Sequence, residues 1–392
     1  MNTNNLFSFA GLFTAMIITA YGIPSIIKVA NIKKLYDKPG GRKTHKGYVP
    51  NLGGIPIFAG FIIAFLCWAD FSGSAQWSYF LGGLIILHFT GVKDDIFPLA
   101  PMKKLLGQIL AAGILVIPGK FRINNLQGIL GIHQLPVWVA VPLSIFAVIV
   151  IINSFNLIDG VDGLAAGLSV IIALAFALIF WQKGMQIPFI ASMILTGALI
   201  SFLYYNIQPA KIFMGDAGSL CIGYVMGTFS FELVNAADIP GKALFHHNPA
   251  IVVAFLIIPL FDTLRVFSLR LFNKRSPFTA DANHVHHRLQ ALGLEHKSIS
   301  ALLYGVNILF IGLAFLIKDV NPNLFILIII GVACLLASVP AFLLHLRAKE
   351  NAVNIPIEPA QPIHVTTTLK IGNVPEAVSA NQGASSKLPP MN

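Results

Sequence analysis

Six side chains able to bind a hard cation stand in three short stretches: Asp94 and Asp95 in "GVKDDI", Asn156, Asp159 and Asp162 in "NLIDGVDG", and Asp216 in "FMGDAGS". All present oxygen, the donor that suits Mg2+, an ion that keeps several waters and is usually completed by substrate phosphates. Glycines 160, 163, 215 and 218 stand among them and permit tight turns and close approach of a phosphate to backbone N–H groups. Lys43, His45, Lys104, His284, His286, His287 and Arg288 add cations and donors suited to phosphate oxygens. A divalent metal with basic surroundings points to a pyrophosphate-bearing substrate.

Other chemistry fits these residues less well. Asp94 with Asp95 also suits a helix cap. "DGVDG" is not a calcium loop, because its aspartates are three apart instead of two and Val170 stands where the bidentate Glu belongs. "HVHH" has no fourth ligand at a zinc spacing, so anion contact is the better reading. Asp262, near Arg265, suits an ion pair facing a bundle interior and is carried as a further candidate.

The elements that must position these residues are membrane helices. Of 392 residues, 56% are hydrophobic and only 11% charged, against roughly 25% charged in a soluble domain. Hydropathy predicts an all-α polytopic membrane protein with about eleven transmembrane helices, near 5–28, 52–69, 76–92, 103–118, 137–155, 164–181, 187–206, 217–233, 249–272, 300–317 and 323–346. The opening "MNTNN" has no basic n-region, so the first segment is read as a retained anchor. Alternating the connections puts most Lys and Arg on one side, which predicts an external N-terminus and an internal C-terminus. Trp68, Trp77, Trp138 and Trp181 then fall near outer helix ends. The net charge of +10 is thereby explained by topology and gives no reason to expect nucleic acid. Every dense polar motif faces the cytoplasm in this arrangement. Cys67, Cys221 and Cys334 lie in apolar runs and suit packing. Residues 1–349 form the membrane domain, and the polar stretch 350–392 is expected to be a disordered cytoplasmic tail.

The ordered series "RKTHKGYVPNLGG", "GVKDDI", "KKLLGQ", "NLIDGVDGLA", "FMGDAGS" and "HVHHRL" resembles the polyprenyl-phosphate N-acetylhexosamine-1-phosphate transferases, a superfamily that includes the peptidoglycan enzyme translocase I. The resemblance runs from about residue 37 to 289. "HVHHRL" is similar to the branch that makes undecaprenyl-diphospho-GlcNAc for enterobacterial common antigen, O-antigen lipopolysaccharide or wall teichoic acid, whereas translocase I has three consecutive histidines. The resemblance implies transfer of a sugar 1-phosphate from a UDP-N-acetylhexosamine to undecaprenyl phosphate, with release of UMP, at the cytoplasmic face of a bacterial inner membrane. Transfer of phospho-MurNAc-pentapeptide to the same lipid is the alternative. It further implies Mg2+, or Mn2+ as a substitute, on Asp216, Asn156 and Asp159, and a catalytic set of Asp94, Asp95, Asp159 and Asp162. Asp94 and Asp95 would stand by the acceptor phosphate, one of them as base or nucleophile. Lys104 would hold the lipid phosphate, while Lys43, His45, His284, His286, His287 and Arg288 would contact the sugar nucleotide or phosphates. The lipid bilayer is the expected surroundings, and the oligomeric state, a homodimer included, stays open.

A CDP-alcohol phosphatidyltransferase also uses paired Asp-Gly elements with Mg2+, but its pattern needs Asp-Gly-x-x-Ala-Arg, and here Ala166 follows Ala165. A transporter would carry ionisable residues at mid-membrane, where only Asp262 and Arg265 qualify.

Overall fold

The computed structural model describes residues 3–36, 49–236, 248–272, 274 and 284–353. The expected eleven segments each carry helix: α1 (Thr3–Lys33), α2 (Gly54–Trp68), α3 (Gln76–Ile96), α4 (Pro101–Val116), α5 (Val137–Ile158), α6 (Leu164–Gln182), α7 (Gln186–Asn206), α8 (Gly215–Asn235), the pair α9 (Asn248–Phe255) and α10 (Ile257–Phe272), α12 (His296–Leu316) and α13 (Pro322–Val353). Helices satisfy every backbone group within one segment, which hydrocarbon requires. Seven of them are long and apolar enough to cross a membrane, or eight if the bent pair is one span. By the same measure α2 is short, at 15 residues, as is α4, at 16, and α3 ends in Lys93, Asp94 and Asp95.

Residues Met1–Ala348 form one compact unit. Its centre is α8, whose apolar window is 94% buried by protein, against 28% for α1 and 22% for α13 at the periphery. The second unit, Lys349–Asn392, is described only as far as Val353, where it is helical. The tail expected at 350–392 otherwise lies outside the described residues.

Three features differ from the expected pattern. The ninth segment is broken at Leu256, with α9 and α10 meeting at 78°. The cause is Pro259, which lacks the N–H that would bond the carbonyl of Phe255 and whose ring crowds that carbonyl. Asn307 Nδ2, from α12, donates to the freed Phe255 oxygen at 3.2 Å. Between α4 and α5 lies a hairpin, β1 (Asn125–Ile129) and β2 (Ile132–Gln134), antiparallel with Ile129 opposite Ile132. Its two turn residues, Leu130 and Gly131, both have positive φ, as a type I′ turn requires. Asn323 Oδ1, beside the start of α13, accepts from Leu130 N at 2.7 Å. Finally a seven-residue helix, α11 (Val285–Ala291), carries the histidine motif.

Candidate active site

Asp216 owes its position to three connections converging on the start of α8. Phe213 N donates to Pro50 O at 2.8 Å, Gly53 N to Phe213 O at 2.9 Å and Gly54 N to Met214 O at 2.7 Å, tying the turn that leads into α2 to residues 213–214. Gly54 of α2 and Gly91 of α3 face the first turn of α8 so closely that a Cβ at either would overlap its backbone at Ala217. Asp95, on the last turn of α3 past its apolar stretch, accepts from Asp216 N at 2.7 Å and Ala217 N at 2.9 Å, and from Asn51 Nδ2 at 3.2 Å. It therefore caps α8 from a neighbouring helix, satisfying two donors that the first turn cannot pair internally and meeting the positive end of the helix dipole. Burial pushes its carboxyl up to about 7 against the pull of those two N–H groups.

Asp94 turns the other way. Its Oδ1 accepts from Leu99 N at 2.6 Å, and its Oδ2 lies 3.6 Å from Lys104 Nζ. Lys104, on α4, also pairs with Asp216 Oδ2 and donates to Asn156 Oδ1 at 3.3 Å. Asn156, on the last turn of α5, donates to Asp216 Oδ1 at 2.7 Å and Ser219 Oγ at 2.9 Å. Four helices thus bring Asp94, Lys104, Asn156 and Asp216 into one cluster. Burial first, then the hydrogen bond and charge of Asp216, raise the Asp94 carboxyl. One helical turn away, Asn153 Nδ2 donates to Gln108 Oε1 at 2.7 Å and tethers α5 to α4. Gln108 and Asn153 went unnoticed in the sequence, although each is spaced one turn from a site residue, four after Lys104 and three before Asn156.

The "DGVDG" loop caps α5 and opens α6. Asp159 is the C-cap of α5, and protein atoms crowd it although its side chain keeps some solvent contact. Burial, then the charges of Asp216, Asp95 and Asp162, raise its carboxyl well above the usual range. Asp162 is buried and engaged elsewhere: its Oδ2 accepts from Ala210 N at 3.3 Å, its Oδ1 lies 3.2 Å from His296 Nδ1, and its carbonyl accepts from Ser300 Oγ at 2.9 Å. These contacts anchor the loop to α12. The glycines also serve packing: Gly160 leaves no room for a Cβ beside His286 Nε2, Gly163 takes φ +77 at the α6 N-cap, and Gly215 (φ +71) presses on Asn51 and Asp95.

The histidine motif is fastened by Asp262. Its Oδ2 accepts from His284 Nδ1 at 2.9 Å, and its Oδ1 accepts from Val285 N at 3.0 Å and Arg265 Nη2 at 2.8 Å. His284 and His286 are buried with rings stacked at 5.6 Å, whereas His287 is partly exposed, 4.3 Å from the His286 ring. Burial, then the neighbouring His287, holds His286 down at about 3. Arg288 lies partly exposed on α11. Lys43 and His45 lie outside the described residues. An apolar cavity of about 310 Å3 opens beside the motif, with Asp262 and His286 in its wall and Phe261, Leu303, Phe310 and Leu336 among its lining.

Among the described residues, no group of three or more His, Cys, Asp or Glu side chains is placed to hold a metal ion. The donor set at Asp216 does fit a hard cation in kind, since Asp94, Asn156 and Asp216 turn oxygens toward one ammonium, that of Lys104.

Residues 77–234, which hold this cluster, match the family model "Glycosyl transferase family 4". The chain is 32% identical over 322 residues, 81% of its length and 87% of the other's, to a probable undecaprenyl-phosphate N-acetylglucosaminyl 1-phosphate transferase of Bacillus subtilis (strain 168). It is 30% identical over 284 residues, 70% of this chain and 74% of the other, to the undecaprenyl-phosphate alpha-N-acetylglucosaminyl 1-phosphate transferase of Escherichia coli (strain K12). A decaprenyl-phosphate N-acetylglucosaminephosphotransferase of Mycobacterium tuberculosis (strain H37Rv) is 30% identical over 317 residues, 74% of this chain and 78% of that one. With the six motifs in order and Asp94, Lys104, Asn156 and Asp216 from four of them gathered at one point, the chain belongs to the polyprenyl-phosphate N-acetylhexosamine-1-phosphate transferase family.

Proposed function

We propose that this protein transfers N-acetylglucosamine 1-phosphate from UDP-N-acetylglucosamine to undecaprenyl phosphate, releasing UMP, at the cytoplasmic face of a bacterial inner membrane. The observation that carries the reading is the convergence of Asp94, Lys104, Asn156 and Asp216 from four helix ends. The relatives' names supply the lipid acceptor and the sugar phosphate. The clustering of basic residues on one side of the helices supports the cytoplasmic placement.

An oxygen of the lipid phosphate attacks the β-phosphorus of the donor, the bond to the bridging oxygen breaks, and UMP leaves with that oxygen. Lys104 contacts both Asp94 and Asp216 and in this scheme holds the acceptor phosphate beside the donor. Asp94, whose carboxyl is raised above the ordinary carboxylate value by burial and by Asp216, accepts the proton carried by a singly ionised acceptor phosphate. Asp95 keeps α8 in place and touches neither substrate. Mg2+ on Asp216, with Asn156 and Asp159, would neutralise the diphosphate and stabilise the departing UMP. The apolar cavity beside Asp262 and His286 suits the start of a prenyl chain.

Purified protein in detergent, given undecaprenyl phosphate, Mg2+ and a panel of labelled UDP-sugars that includes UDP-MurNAc-pentapeptide, tests this. Organic-extractable label from UDP-GlcNAc, abolished by EDTA, is expected. Transfer from the pentapeptide donor alone would refute the assigned sugar, and label retained inside vesicles without a lipid product would indicate transport.

A further inference from the structure

One face of α13 changes character along its length. Phe325, Ile329 and Ala333, spaced four apart, are buried in the bundle. At helical spacing the same stripe continues through Leu336, Pro340 and Leu343, and there the close fit ends, because these three, with Ala333 and Ala337, line the apolar cavity beside Asp262 and His286. Size is the cause: Ala333, Ala337 and Pro340 are too short to fill space that side chains as large as Phe325 and Ile329 close further along.

α13 is nonetheless fastened at both ends of this stripe. At its start, Asn323 Oδ1 accepts from Leu130 N at 2.7 Å and Asn323 Nδ2 donates to Gly128 O at 3.3 Å. Towards its end, Arg347, four residues past Leu343 on the same face, donates from Nη1 to Leu292 O at 2.7 Å. Leu292 is the C-cap of α11, so a guanidinium meets a carbonyl at the negative end of the helix that carries His286 and His287.

The cavity adjoins the "DGVDG" loop, since His286 in its wall packs against Gly160 and Ile158 of α5 also lines it. Leu302, Val339 and Leu343 line it too and are exposed. It therefore opens sideways between α12 and α13, whose apolar windows are only 33% and 22% buried by protein. A ligand with a phosphate at the site and a hydrocarbon tail running into lipid suits that path, and a soluble nucleotide does not. From Ala333 to Leu343 the wall offers about 15 Å of helix for such a tail.

We infer that α13 is the lipid-facing wall of the groove that grips the acceptor's prenyl chain, and that Arg347, by bonding to α11, is a positioning residue that holds this wall in place. This rests on the transferase reading in taking the acceptor lipid as the occupant, and it adds the helix and the residue that set how firmly the chain is held.

Two measurements on the full-length protein in detergent test it. In the first, p-benzoyl-phenylalanine replaces either Leu336, in the cavity wall, or its exposed neighbour Leu335, and each protein is irradiated with 32P-labelled undecaprenyl phosphate. Labelling from the Leu336 position is expected to exceed that from Leu335 severalfold, to be competed away by unlabelled undecaprenyl phosphate and to fall severalfold when Arg347→Gln is added. Labelling no greater than at Leu335, or a cross-link to the protein's own residues 354–392 in place of lipid, overturns the inference. This readout needs no turnover, so it stands apart from any failure of the proposed reaction. The second is steady-state kinetics. Arg347→Gln should raise KM for undecaprenyl phosphate about tenfold while kcat and KM for UDP-GlcNAc stay within about twofold, and Arg347→Lys, which keeps a charged donor, should recover part of the loss. An unchanged lipid KM, or a fall in kcat as large as the rise in KM, would show that Arg347 does not act on the acceptor's groove and would overturn it.

Discussion

Two adjacent aspartates divide their labour because successive residues on a helix point about 100° apart. Asp94 faces Lys104 and the reacting centre, whereas Asp95 caps α8. Asp94→Asn should therefore abolish turnover while leaving the thermal unfolding of the detergent-solubilised protein unchanged. Asp95→Ala should destabilise it by about 1–3 kcal/mol for each buried N–H left unpaired, visible as a lowered unfolding temperature. Equal unfolding curves for the two variants would contradict this division. The sequence made the pair visible but not the direction each side chain takes, because that depends on where α8 begins relative to α3. His286 gives a second test. Its folded-state value of about 3 lies below the ordinary histidine range, so the stability it confers is present above about 6.5 and lost as pH falls toward 3. The groups facing it are His284, His287, His296 and Asp262. His286→Asn should lose less stability than the parent between pH 7 and pH 5, measured by thermal unfolding at both values.

Helices were legible nearly everywhere, because sustained apolar runs long enough to matter read directly as helix. What escaped were features set by a single residue or by short range: the turn of the hairpin at Leu130 and Gly131, the seven residues of α11, and the bend at Leu256. The Ile- and Phe-rich run across the bend looks continuous in hydropathy, yet Pro259 breaks it and Asn307 repairs the exposed carbonyl. Asn307→Leu should cost roughly 1–2 kcal/mol, since the Phe255 carbonyl would then be buried unpaired. At the other contact that shapes the site, Gly91→Ala forces a Cβ into the backbone of Ala217. Overpacking of this kind costs about 1–3 kcal/mol, and because Ala217 follows Asp216 directly, kcat should fall further than stability alone explains. A Gly91→Ala enzyme with full kcat would show that α8 tolerates displacement. The glycines of these motifs were read from sequence as room for phosphate. The packing around them, with His286 beside Gly160 and with Asn51 and Asp95 beside Gly215, is revealed only by the fold.

At the scale of the molecule, the cluster at Asp216 draws on α3, α4, α5 and α8, and His286 of the histidine motif packs against Gly160 of the "DGVDG" loop. That Asp94, Lys104, Asn156 and Asp216 carry chemistry out of place in so apolar a chain was legible. Which touched one another was not, since Asp94 and Asp216 are separated by more than a hundred residues. The basic residues predict the side: single cysteines at Leu99 or Lys211 should react with an impermeant maleimide only in inverted vesicles, and one at Leu130 only in intact cells. The central claim is chemical, and isotope placement tests it most directly. UDP-GlcNAc labelled with 32P at the β-phosphate is incubated with undecaprenyl phosphate, Mg2+ and either the unsubstituted protein or Asp216→Asn. The label should enter the lipid phase with the sugar and should remain in water for the variant. Label left on UDP while the sugar moves, or full transfer by Asp216→Asn, would contradict a sugar-phosphate transferase centred on this cluster.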